Sequence, residues 1–257
     1  MPGNPGNNDM IYSLDQGSMW PLVTSFALLT TTLSAVAWFH GYSNGGFYLA
    51  LGFISTVLAM SFWFRDTISE STYQGCHTSK VQAGLTMGFI LFVISEVMFF
   101  LSIFWAYLHS ALSPTVELGC NWPPAGIEAV NPFEVPLLNT VLLLSSGATV
   151  TVAHHGLING NRALVIYSLA GTIVLAMVFT ALQGFEYYTA PFSIADSVYG
   201  SVFYFGTGFH GLHVIIGTIF ITVGLFRFIN YHLTDFHHVG FEAAIIYWHL
   251  KKICTFK

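Results

Sequence analysis

One carboxylate stands in almost wholly apolar surroundings. Glu96 lies within FVISEVMFF, and an acidic residue at the centre of a bilayer costs roughly 2.5–3.5 kcal/mol on insertion scales. Two chemistries suit it. It can carry or relay protons, which needs titratable neighbours, or it can clamp two helices as a protonated or hydrogen-bonded carboxyl. An isolated carboxylate favours the clamp. His210 and His213 are the partners a relay would use; three residues apart, they share one helix face. The other histidines raise the question of a metal. His154–His155, His210/His213 and His237–His238 are the clusters among 11 histidines. Membrane di-iron enzymes repeat H-x-x-H-H boxes, whereas His232 followed by His237–His238 has different spacing and no second box exists. A haem between helices needs central histidines on two facing segments. Only the segment with His210 and His213 has them; His40, His109 and His154 fall near segment ends. Interfacial or packed histidines, with no metal, are the expectation.

A further constellation combines WFRD (Trp63–Asp66), SEST (Ser69–Thr72), His77 and Arg227. Aromatic rings beside a guanidinium suit a phospholipid headgroup, because arginine offers a fork of donors to phosphate. Ordinary snorkelling of arginine to the interface explains the same residues equally well. Cys76, Cys120 and Cys254 form no C-x-x-C pair and read as buried, inert thiols. Small residues (Ser145, Ser146, Gly147 and Ala148, then Gly206, Gly208, Gly211 and Gly217) read as close helix packing.

The elements that position these residues are membrane helices. Of 257 residues, 7% are charged, 54% are apolar and 24 are Phe. Soluble domains carry about 25% charge, so a soluble fold is excluded. Seven Lys and Arg in all exclude a nucleic-acid binder, which needs basic clusters. A span takes about 20 apolar residues. Six segments qualify, at about Trp20–Phe39, Gly46–Phe64, Ala83–Leu108, Pro136–Ala153, Ala163–Phe185 and Val198–Phe228. A seventh starts near Gly240 and meets Lys251 and Lys252 after about ten apolar residues. The fold class is therefore an all-α polytopic bundle of six clear spans with a seventh that reads as truncated. The division expected is an N-terminal segment (1–19), helices one and two (20–66), a loop (67–82), and helices three to six with the incomplete seventh (83–257). Arg65, Lys80, Arg162 and Arg227 all fall on one side, while the opposite loops hold Glu117, Glu128, Glu134 and Asp196. The positive-inside rule then places the N-terminus on the cytoplasmic or matrix side. Residues 1–17 hold no Lys or Arg, so neither a signal peptide nor an Arg-rich transit peptide is expected. The lack of an internal repeat weakens a transporter built from inverted repeats.

Several long stretches resemble subunit III of cytochrome c oxidase, the mitochondrial and in particular the fungal members. They are HGLINGNR from His155, WPPAGIEAVNPFEVPLLNT from Trp122, LLLSSGATVTVAHH from Leu142, EYYTAPFSIADSVYGSVF from Glu186, GTGFHGLHVIIGT from Gly206 and HHVGFEAAIIYWH from His237. The resemblance runs from about Trp20 to His249. It implies seven helices in two groups, one and two against three to seven, with phospholipids held in a cleft between them. It implies a mitochondrial inner-membrane subunit without catalytic residues and without haem or copper of its own. Those cofactors belong to the catalytic haem–copper subunit, its partner, and this chain would support proton uptake and stability. By motif match, Glu96 is the family's intramembrane glutamate, and Trp63, Arg65, Glu70, His77 and Arg227 match headgroup positions.

The sequence departs from that pattern twice. Ser69 stands where a basic residue is usual, and after His249 the chain reads LKKICTFK instead of continuing a long apolar helix. Two other functions are open to the residues alone. One is a proton-coupled transporter using Glu96 and the segment-six histidines; the other is a His-ligated membrane metalloenzyme.

Overall fold

A computed structural model describes residues 18–234 and 237–253, with side chains described as far as 250. Among these residues the fold is all-α. The helices are α1 (Trp20–Phe39), α2 (Gly45–Thr72), α3 (Ser79–Leu112), α4 (Val135–Ile158), α5 (Arg162–Thr189), α6 (Ser197–Ile229) and α7 (Val239–Ile253), with one 3₁₀ turn at Val116–Leu118. The first six are long and apolar enough to cross a membrane. A helix satisfies its own backbone hydrogen bonds, which is what a segment in lipid requires. Pro21 and Pro136 sit in the first turns of α1 and α4, where no intrahelical N–H bond is lost. Asn161 caps α5 by accepting from Leu164 N–H at 3.2 Å.

The expected loop at 67–82 is mostly helix: α2 runs on through Thr72 and α3 begins at Ser79. Hydropathy marks only the apolar part of a helix, and polar turns such as Arg65–Thr72 extend it past the hydrocarbon. Of the expected 1–19 segment, residues 1–17 lie outside the described residues. The seventh element is a helix of 15 residues. The cysteines depart from the expectation of burial: Cys76 is half-buried and Cys120 exposed, because both stand in polar segments that connect helices, and Cys254 lies outside the described residues.

The described chain separates into two compact units, with the boundary between Leu85 and Thr86 inside α3. In the first, α1 and α2 form a tight antiparallel pair. A Cβ on Gly45 would lie 2.7 Å from the Trp38 backbone nitrogen, and one on Gly52 would lie 2.9 Å from Thr31. The hydroxyls of Thr31 and Thr56 meet at 3.1 Å, and Trp20 stacks on Phe62 at 4.8 Å. Close backbone approach with hydroxyl pairs is how helices associate where lipid removes the hydrophobic drive.

In the second unit α4 packs on α5 and α7, and α6 packs on α5 and α7. Leu143, Val150, Leu169, Val214, Ile221, Phe241 and Trp248 form the core. Trp248 Nε1–H donates to Ser146 Oγ at 3.1 Å, and the Thr149 and Thr172 hydroxyls meet at 2.8 Å. Ser146, Gly147 and Gly217 are buried as small residues should be, whereas Gly208 and Gly211 face open space. Helix α3 reaches its neighbours through long side chains. Phe89 meets Phe220, Phe92 meets Tyr247, and Phe99 meets Phe209.

Candidate functional site

Glu96 and His213 stand midway along α3 and α6 respectively, and the two helices meet there. Glu96 Oε2 lies 2.5 Å from His213 Nε2, with side-chain exposures of 19% and 11%. His213 Nδ1 lies 2.6 Å from the Phe209 carbonyl oxygen. A carbonyl can only accept, so Nδ1 carries a proton and donates it. Nε2 and Glu96 then share one further proton. The pair is either carboxyl with neutral imidazole or carboxylate with imidazolium. Both forms have zero net charge, which keeps a charged imbalance out of the hydrocarbon. Around it lie the rings of Phe100, Phe209 and Tyr247, at 5.3, 6.5 and 6.3 Å from the imidazole.

His210 turns elsewhere. It is buried, and its ring meets Phe179 of α5 edge-on at 5.8 Å. The structure thus brings one of the two anticipated histidines to Glu96 and sends the other into a neighbouring cavity.

The five anticipated headgroup residues divide between the units. In the first, the Arg65 side chain is 69% exposed, with Nη2 3.4 Å from Asp66 Oδ1. Its guanidinium lies 5.3 Å from the Phe62 ring centroid. Trp63 is exposed beside it. Glu70 is half-buried near the end of α2, and half-buried His77 accepts from Gln82 Nε2 at its carbonyl, 2.8 Å away. Arg227 belongs to the second unit. It sits in the last turn of α6 with Nη1 close to Gly240, at 3.1 Å from where a Cβ there would stand.

Two arrangements were hidden from the sequence. Arg162 donates to the Ile229 carbonyl at 2.9 Å and lies 3.8 Å from the Tyr231 ring centroid. It closes the C-terminal end of α6, where free carbonyls attract a cation. His154, His238 and Glu242 each bring one potential ligand atom to within 4.8 Å of the others. His238 Nδ1 pairs with the Thr234 carbonyl at 2.9 Å, and its Nε2 lies 3.3 Å from Glu242 Oε1. His154 Nε2 is buried with no hydrogen-bond partner among the described residues. The donor types would suit a divalent cation, and a proton shared between His238 and Glu242 satisfies that pair equally well. Adjacency in sequence grouped the histidines two by two and gave no sign of Glu242.

Residues 11–256 match the family model described as cytochrome c oxidase subunit III. The chain belongs to that family. It is 66% identical to cytochrome c oxidase subunit 3 of Rhizopus stolonifer over 94% of this chain and 86% of the relative. It is 60% identical to the Mycosarcoma maydis protein over 92% and 88%, and 54% identical to that of Prototheca wickerhamii over 94% and 92%. The subunit III match spans both helical units. It includes Glu96, His213 and all five anticipated headgroup residues.

Proposed function

We propose that this chain is a non-catalytic core subunit of cytochrome c oxidase in the mitochondrial inner membrane. It lies multi-pass with its N-terminus on the matrix side, beside the catalytic haem–copper subunit and other oxidase subunits. Electrons pass from cytochrome c to oxygen, with proton translocation, in the complex; this chain holds no redox centre. It binds phospholipid and supports proton uptake and the durability of the catalytic subunit. The observation that carries the reading is the family match along nearly the whole chain. Both ring nitrogens of His213 are engaged, one by the Phe209 carbonyl and one by Glu96, which leaves no lone pair for a haem iron. Exposed Arg65 beside Phe62 and Trp63 offers a phosphate-binding fork with aromatic neighbours. The distribution of Lys and Arg supports the orientation.

The test is to strip this chain from purified oxidase with detergent. The depleted enzyme should keep its haem and copper spectra and its initial rate, yet lose activity over successive turnovers. Loss of a haem or copper signal along with the chain would overturn the non-catalytic assignment. An unchanged working lifetime would overturn the supporting role.

A further inference from the structure

A cavity of about 550 Å³ lies within the second unit, among α3, α4, α5 and α6. Its outer wall includes Val130 and Pro132 of the segment between α3 and α4, and Tyr199 in the first turn of α6. From Tyr199 it follows α6 to His210, a run of about 16 Å at 1.5 Å per residue. The wall is largely apolar, but Asn139, Gln183, Glu186 and His210 line it, each more than nine-tenths buried. Neither amide atom of Asn139 meets a hydrogen-bond partner among the described residues. A buried amide left without partners is costly, and most so where no water can reach it.

We propose that this cavity holds water and brings protons to the Glu96–His213 pair from the side of the 3–4 segment. Water is the occupant that answers Asn139, because it both donates and accepts. An acyl chain would fill the apolar wall and leave the amide unsatisfied. Each water takes about 30 Å³, so there is ample room for a chain of them. The inner end of the cavity is formed by Phe100 and His210. Phe100 lies one turn beyond Glu96 on α3, and His210 lies three residues before His213 on α6. The Phe100 ring is 5.3 Å from that of His213. One helical turn, about 5.4 Å, therefore separates the cavity from the pair, with the Phe100 ring as the barrier between them. The route rests on reading the pair as a proton-exchanging site.

Two measurements on the intact oxidase test this. In a high-resolution map, discrete waters should lie within hydrogen-bond distance of Asn139 and Glu186. Continuous acyl-chain density, or a neighbouring subunit's side chain filling the space, would overturn the hydration. Infrared difference spectra then follow transfer into D₂O, using the bands that Glu96→Gln removes as the signature of the pair. Asn139→Leu should slow their exchange several-fold, and Phe100→Ala should speed it. If waters are seen but neither variant changes the rate, the cavity is wet and the route is wrong. If Glu96→Gln removes no exchanging band, the reading of the pair fails, and the route with it, independently of the hydration seen in the map. The map uses the unaltered chain, so a variant that fails to assemble does not remove the test.

Discussion

Replacing Glu96 by Leu and by Gln separates a clamp made of a hydrogen bond from a mere requirement for volume. Interhelical hydrogen bonds in membranes average roughly 0.6 kcal/mol and reach about 1.7. Glu96→Leu removes one such bond, and it also strands His213 Nε2, whose side chain is 11% exposed, for about 1–3 kcal/mol more. The total is about 2–5 kcal/mol. Glu96→Gln keeps a donor: with Nδ1–H committed to the Phe209 carbonyl, Nε2 accepts from the new amide, and the loss should stay under about 1 kcal/mol. His213→Leu alone should cost as much as Glu96→Leu, because it strands the carboxylate. The double variant Glu96→Leu with His213→Leu should be more stable than either single one, since two apolar groups need no partner. The assay is thermal release of this chain from purified oxidase, followed by native mass spectrometry. In soluble domains of this size about 1 kcal/mol moves a midpoint by roughly 2–4 °C, so the ordering is readily resolved. Equal losses for Gln and Leu, or purely additive losses in the double variant, would refute the shared-proton pairing.

Three further outcomes are expected. Gly217→Val should destabilise the second unit by about 1–3 kcal/mol through overpacking, because even a Cβ would stand 3.0 Å from the Trp248 ring; the same thermal-release assay reads it. Arg65→Gln should lower the phospholipid phosphorus retained per purified oxidase. It should leave thermal release nearly unchanged, since an exposed pair such as Arg65–Asp66 contributes about 0–1 kcal/mol; unchanged phosphorus would remove Arg65 from the headgroup set. Elemental analysis of the chain after separation should find no stoichiometric iron, copper or zinc. A molar equivalent that disappears with His154→Ala or Glu242→Ala would establish the α4–α7 cluster as a metal site instead.

Hydropathy alone located the six helices among the described residues that are long and apolar enough to cross a membrane, because an apolar run of bilayer length has few other uses. It missed the helix ends at Thr72 and Ser79, where the residues turn polar without ceasing to be helical. Glu96 stood out by its cost, and its partner was narrowed to two histidines on one face. Three residues still turn the helix by about 300°, so His213 meets α3 while His210 meets α5. That 60° difference has no signature in the sequence. The His154–His238–Glu242 group is assembled from α4, α7 and the residue just before α7, far apart in the chain, and only packing reveals it. Arg162 was readable as a topogenic charge; its bond to the Ile229 carbonyl required the α5–α6 geometry.

The most direct measurement is isolation of this chain from its native membrane in mild detergent, with native mass spectrometry and visible absorbance on the same preparation. The expected result is co-purification with a larger haem-bearing subunit, and a colourless chain once the two are separated. A separated chain that retains haem, or a chain that emerges alone and never with an oxidase, would contradict the assignment as a non-catalytic oxidase subunit.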